Sequence, residues 1–189
     1  MRVLGISSSP RARSNSEALL DAALNGARAA GAQVEKLKVA ALEIAPCRAC
    51  DACVKNVHCV VGDDFQRVYD LLLSVPRVIL ATPITYMSAN AQAKCLIDRA
   101  QCLYNRKYVR KEEIPSDVPR RGAVIAVSGR KHPKAFEGLS LTTKYFFDSL
   151  QMEMVKELYV PGLDGPGEAA KRPELLERAR ELGERLARP

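Results

Sequence analysis

Four of the six cysteines stand in the stretch PCRACDACVKNVHC, where they read C-x2-C-x2-C-x5-C through Cys47, Cys50, Cys53 and Cys59. A buried cysteine packs as a small hydrophobe, and packing gives it no reason to recur at short fixed steps. Spaced in this way the thiolates read as ligands: the triple run would wrap three sulfurs round one face of a compact centre, and the fourth arrives after a short excursion. Soft sulfur suits iron–sulfur clusters and zinc alike. A compact triple run is also used by bacterial ferredoxins, whereas structural zinc sites come as two separated pairs. A [4Fe–4S] cluster is therefore the expectation, with zinc or redox thiols as alternatives. His58 reads as a loop residue, and Cys95 and Cys102, on one face of a helix, read as core.

A second stretch carries different chemistry. SSSPRARSNS places hydroxyls and an arginine where a short apolar run ends and a helical pattern begins. The unpaired amides and positive dipole end of a helix N-terminus favour an anion. Ser9, Ser14, Asn15 and Ser16 can donate to its oxygens, and Arg11 can pair with it. The loop lacks G-x-x-x-x-G-K-[ST] and G-x-G-x-x-G, so a monophosphate fits better than a triphosphate or a dinucleotide pyrophosphate. The alternative is that Ser14 or Asn15 only caps the helix.

Both stretches need a frame. Short β-branched runs at 2–7, 33–39, 77–82, 122–128 and 153–160 alternate with helical patterns, and a charged amphipathic run closes the chain. This order predicts a parallel sheet covered on both faces, although alternation alone leaves strand order open. Gly31 is a C-cap for the first helix, and Asp63 or Asp64 caps the helix beginning near 65. The charged, proline-containing segment 110–121 reads as a solvated loop.

At 189 residues the chain has the size of a single domain, 1–189. No run approaches the roughly 18 apolar residues of a membrane span, and the start lacks the apolar region of a signal peptide, so a cytoplasmic protein without membrane contact is expected. In a reducing cytosol, clustered cysteines are metal ligands or redox groups more often than disulfides. The formal net charge is +7, but the basic residues are scattered, with no helix-turn-helix, RNP-like or zinc-finger spacing, which argues against nucleic acid. No Ser-His-Asp set, acid/base carboxylate pair or H-E-x-x-H supports hydrolysis.

GISSSPRARSNS resembles the S-P-R-x-x-[GS]-N-[ST] phosphate loop of flavodoxin-like NAD(P)H-dependent FMN reductases. ATPITYMSANAQAKCLIDR resembles their second signature through Pro83, Tyr86, Ala91, Lys94, Asp98 and Arg99. Together with the cysteine run after the second strand, the chain is similar to the iron–sulfur flavoproteins within that superfamily. The resemblance implies a flavodoxin-like α/β fold, a doubly wound five-stranded parallel sheet of order 2-1-3-4-5 with the cluster loop at 46–60. It also implies FMN at the switch point between strands 1 and 3. By the same carry-over Pro83, Ile84, Thr85, Tyr86 and Met87 line the isoalloxazine ring, and Ser128, Gly129 and Arg130 take the third loop position. Thr85 departs from the pattern, since many relatives have a tyrosine there.

The resemblance further implies an FMN-dependent oxidoreductase that takes electrons from a ferredoxin-like donor or NAD(P)H. Quinones, oxygen or peroxide are the implied acceptors, and the implied assembly is a homodimer or homotetramer. With little aromatic cover in the ring loop, a second subunit is expected to supply the missing wall, and the electron path is expected to cross that interface. Two rivals follow from the same residues: a reductase without a cluster, and a non-enzymatic electron carrier with a zinc site.

Overall fold

The computed structural model describes residues 1–188. The parallel sheet is built from β1 (Arg2–Ser7), β2 (Gln33–Lys38), β3 (Arg77–Thr85), β5 (Arg121–Ser128) and β6 (Glu153–Pro161), in the order β2-β1-β3-β5-β6. A two-residue strand, β4 (Ser88–Ala89), pairs antiparallel with the end of β3. Without that short addition the order is the expected flavodoxin-like 2-1-3-4-5. The chain leaves β1 for the edge at β2 and then returns to the other side of β1 with β3, so the order reverses between β1 and β3. A crevice for ligands lies at such a reversal, outside the C-terminal strand ends.

Alternate strand residues feed two cores, as period two requires. Val3, Ile79, Ala81, Ala123 and Ile125 pack under α1 (Asn15–Ala29) and α7 (Pro173–Ala187). Leu4, Ile6, Val78, Leu80 and Val124 face the other layer, which contains α3 (Phe65–Ser74), α4 (Ala91–Arg99), α5 (Gln101–Tyr108) and α6 (Glu137–Ser149). A short helix, α2 (Ala52–Lys55), lies within the cysteine stretch. Helices α1 and α7 meet through glycines: a Cβ on Gly26 would stand 2.0 Å from the carbonyl oxygen of Arg180, and one on Gly183 would stand 1.7 Å from that of Ala23. Larger residues would force the two helices apart.

Two details differ from the sequence reading. The helical pattern across 89–105 divides at Ala100 into α4 and α5. The segment 110–121 is not simply solvated, because Ile114 and Arg120 within it are buried. Of the two cap candidates for α3, Asp63 is the one that holds an amide of its first turn, accepting from Phe65 N at 3.0 Å. Gly31 does follow α1 with positive φ, 84°. Among the described residues no helix is long and apolar enough to cross a membrane.

Candidate functional site

Loops at the C-terminal ends of β1, β3, β5 and β6 enclose a cleft of about 310 Å³. Ser9, Arg11, Ser14, Asn15 and Ser16 line one side of it, and Pro83, Ile84, Thr85 and Gly129 complete the walls. Ser14 is the N-cap of α1: its Oγ accepts from Glu17 N at 3.4 Å and lies 3.1 Å from Ser16 Oγ. Capping and a ligand role are compatible here, since one hydroxyl cannot serve all the first-turn amides that a helix leaves without internal acceptors. The positive end of α1 thus opens into a cleft lined by the buried hydroxyls of Ser9 and Ser16.

Asn15 is engaged differently. Its Nδ2 donates to Gly165 O at 2.8 Å and its Oδ1 accepts from Ala169 N at 2.9 Å, which fastens the loop after β6 to the start of α1. Arg11 Nη1 donates to Asp164 O at 3.2 Å across the same gap. Tyr86 and Met87 lie outside the cleft walls on the β3–β4 turn, with Tyr86 98% exposed. Ser128 is buried and its Oγ donates to Arg130 O at 2.9 Å, while Arg130 itself is exposed.

The cleft also has walls that the sequence reading missed: Arg13, Asn90, Gln92, Leu163 and Asp164. Asn90 had a legible signal, because an asparagine before a helical pattern is an N-cap, and its Oδ1 accepts from Ala93 N at 3.3 Å. Leu163 and Asp164 had none, as they reach the cleft only through the placement of β6. A Cβ on Gly129 would lie 2.6 Å from Asp164 Oδ1, so a larger residue there would push the Asp164 side chain aside.

Cys47, Cys50, Cys53 and Cys59 line a second, smaller cavity together with Arg99 and Cys102. Ala49 and Asp51 adopt left-handed φ values of 49° and 53°, and these turns wrap the chain around Cys50 before α2 begins. Among the described residues no three His, Cys, Asp or Glu side chains are already drawn together as a metal cage. The donor set is nevertheless all thiol, and neighbouring groups hold it. Asn105 Nδ2 donates to Cys53 Sγ at 3.1 Å. Gln66 Nε2 donates to the carbonyls of Cys59 and Val61, Tyr69 Oη to that of Val57, and Arg110 Nη1 to those of Cys53 and Asn56. Burial pushes the Cys53 thiol up, against the pull of Asn105.

Cys102 is core, as read from the sequence, but it also borders the thiol cavity. Burial, with Cys53 and Cys59 nearby, pushes its thiol up to about 12, and its Sγ donates to Arg99 O at 3.3 Å. It is therefore a buried neighbour of the other four. Cys95 is half-buried and does not line that cavity.

The chain is similar to known proteins in sequence and in fold. The chain is 32% identical over 132 residues to an iron-sulfur flavoprotein of Methanosarcina thermophila, covering 70% of this chain and 65% of the relative. It is 37% identical over 99 residues to an iron-sulfur flavoprotein of Archaeoglobus fulgidus, covering 52% and 45%. The matches therefore span from under half to just under two thirds of those relatives. In fold, the chain superposes on an NAD(P)H:quinone oxidoreductase from Methanothermobacter marburgensis with a TM-score of 0.80 at 18% identity, covering 100% and 97% of the two chains. An archaeal flavodoxin gives 0.59 at 12% identity, with 99% and 96% covered. The sequence profile that describes NADPH-dependent FMN reductase matches residues 1–160, which takes in the thiol loop and the cleft walls from Ser9 to Gly129 but not Leu163 and Asp164. By that match the chain belongs to the NADPH-dependent FMN reductase family.

Proposed function

We propose that this chain is a redox protein holding FMN in the switch-point cleft and a [4Fe–4S] cluster on Cys47, Cys50, Cys53 and Cys59. In this reading it passes electrons between a ferredoxin-like one-electron donor and two-electron acceptors such as quinones, oxygen or peroxide. The observation that carries the reading is the presence, in one chain, of a hydroxyl-lined cleft at a helix N-terminus and a loop whose four thiols share one cavity. The iron-sulfur flavoprotein relatives support it.

The cleft fits FMN: buried Ser9 and Ser16 and the amide end of α1 suit a phosphomonoester, and no pyrophosphate motif is present. Ser9, Arg11, Ser14 and Ser16 hold the phosphate, and Asn15 keeps the facing loop in place. Pro83, Ile84 and Thr85 form the ring wall, while Val127 and Leu163 keep water from its edge. The thiol loop fits a soft metal centre, because its ligands are all sulfur and its carbonyls are already held by side chains from outside the loop. When bound, FMN exchanges one or two electrons and the cluster one, so the pair links the two kinds of partner.

The exposed Arg130, Lys131 and Lys134, in the loop that follows Gly129, favour a second electron source, the phosphate-rich NADPH. Residues 1–189 act as one flavin-binding unit with 46–60 as its cluster arm, and the working form is a homo-oligomer in which a second copy covers Tyr86. The test is anaerobic purification followed by flavin, iron and acid-labile sulfide analysis. One FMN with four iron and four sulfide per chain is expected. Stoichiometric zinc, or FMN without iron, overturns the cluster. Reduction of the flavin by reduced ferredoxin and by NADPH then decides between the electron sources.

A further inference from the structure

Arg99 is a cation with a fully buried side chain. Its Nη1 donates to Asp63 Oδ2 at 2.5 Å and to Ala45 O at 2.9 Å. Its Nη2 donates to Asp63 Oδ1 at 3.0 Å and to Val61 O at 3.2 Å. Ala45 lies just before Cys47 and Val61 just after Cys59, so one guanidinium ties together both ends of the cysteine loop. The Phe65 ring stacks beneath it, 4.7 Å from Cζ.

The third nitrogen has no such partner. Nε is buried and without a hydrogen-bond acceptor, on a side chain that borders the cavity of the four thiols. A charged N–H left without an acceptor inside a protein is destabilising, and the protein acceptors around the other two nitrogens are already used. What this cavity offers in addition is sulfur.

We propose that Arg99 is a positioning residue of the cluster site, which closes the base of the cysteine loop and directs its Nε–H at the Cys59 sulfur. This rests on the [4Fe–4S] reading above. A cation donating to a ligand sulfur stabilises the more negative, reduced state of the centre and so raises its potential. Asp63 moderates that effect by holding the opposite side of the guanidinium.

The experiment compares the full-length, anaerobically purified protein with Arg99→Gln, Arg99→Lys and Asp63→Asn. The readouts are iron and sulfide per chain, separate cluster and FMN midpoint potentials, and amide exchange across 46–60. Arg99→Gln should shift the cluster's one-electron equilibrium at least tenfold toward the oxidised form, which is about 59 mV lower. Asp63→Asn keeps the cation, removes the carboxylate and should shift it the other way. Arg99→Lys should stay near the wild-type potential while exchanging faster across the loop, and the FMN potential should not move in any of the three.

Equal cluster potentials in wild type, Arg99→Gln and Asp63→Asn, or shifts of the same sign in both variants, overturn the proposal. Loss of iron from a folded Arg99→Gln supports the closing role, and Asp63→Asn then decides the electrostatic one. If Arg99→Gln does not fold, Arg99→Lys and Asp63→Asn carry the comparison, and an unchanged potential in Asp63→Asn overturns it. If wild type holds no iron and sulfide, the cluster reading fails by itself. Exchange across 46–60 then decides: at least tenfold faster in Arg99→Lys, with α1 and α7 unchanged, supports the loop closure, and equal exchange overturns it.

Discussion

Asn90 Nδ2 donates to the main-chain carbonyl of Ser8 at 2.8 Å, which ties the end of β1 to the start of α4. The Oδ1 of the same residue accepts from Ser8 Oγ at 2.7 Å and from Thr82 Oγ1 at 3.1 Å. One side chain therefore caps a helix and sets the spacing of the two strands between which the sheet order reverses. The cleft exists at that spacing, so its floor is specified by a residue that need not touch the ligand.

Asn90→Ala should lose the helix cap, at about 1 kcal/mol, and take the side-chain donor from the buried Ser8 carbonyl, at about 1–3 kcal/mol, while the hydroxyls of Ser8 and Thr82 keep Ala81 O and Pro83 O as acceptors. The apo chain should unfold several degrees lower and bind FMN more weakly. An unchanged melting temperature would show that the strand ends hold without it.

Replacing Ser9 and Arg11 together by alanine removes a hydroxyl and a charge from the phosphate side of the cleft. A charge-assisted contact is worth about 1.5–3 kcal/mol, or one to two powers of ten in affinity. FMN fluorescence titration should show that loss, whereas riboflavin, which lacks the phosphate, should bind variant and wild type alike. Parallel losses for both ligands would move the phosphate elsewhere.

Glu17, in the first turn of α1, takes Lys36 Nζ at 3.3 Å and Lys38 Nζ at 3.1 Å from β2. Burial opposes its ionisation, but the two lysines outweigh burial and hold its pKa below 4.5. A depressed folded pKa means that the stabilisation is complete above 4.5 and fades as pH falls through the lower folded value. Urea unfolding should therefore find Glu17→Gln less stable than wild type at neutral pH, and the two should converge in acid. A gap that persists at low pH would assign the effect to packing.

How much of this was readable in one dimension depends on whether the determining contacts are local. The run through Cys59 and the hydroxyls from Ser9 to Ser16 show their chemistry in adjacent residues, and the alternation of strands and helices shows the layers. The division at Ala100 has no such mark, since neither proline nor glycine interrupts the period; Arg99 and Asn105, on either side, both reach the cysteine loop. Arg110 and Arg120 sit in a run that looks solvated, yet Arg110 holds Cys53 O and Arg120 Nη2 donates to Leu72 O at 2.8 Å. An arginine that serves a distant carbonyl looks the same in sequence as one that faces water.

Alanine at Cys47, Cys50, Cys53 or Cys59 should remove iron and bleach the broad cluster absorption while leaving the flavin bands, because the phosphate loop is a separate element. Cys102→Ala tests the neighbour. Its Sγ is buried and donates to Arg99 O, so iron content should survive, as it should in Cys95→Ala. Loss of iron in Cys102→Ala with the fold intact would make it a ligand and displace one of the four.

Tyr86 and Met87 fill the two central positions of the β3–β4 turn, flanked by the pair Thr85 and Ser88, with φ values of 47° and 62°. Such turns favour Asn-Gly, since bulky side chains are strained in the left-handed region. Nothing in the turn offsets that strain, because Tyr86 is 98% exposed. A strained, exposed aromatic at the rim of a ligand cleft points to a role outside its own chain's packing. Changing Tyr86→Asn and Met87→Gly relieves the turn and should stabilise the apo chain by about 1 kcal/mol, while FMN affinity should fall because the proposed second copy loses the aromatic it packs on beside the cleft. The opposite directions are what matter. If melting temperature and FMN affinity rise together, the turn is strained for no purpose of the flavin, and Tyr86 does not belong to the site.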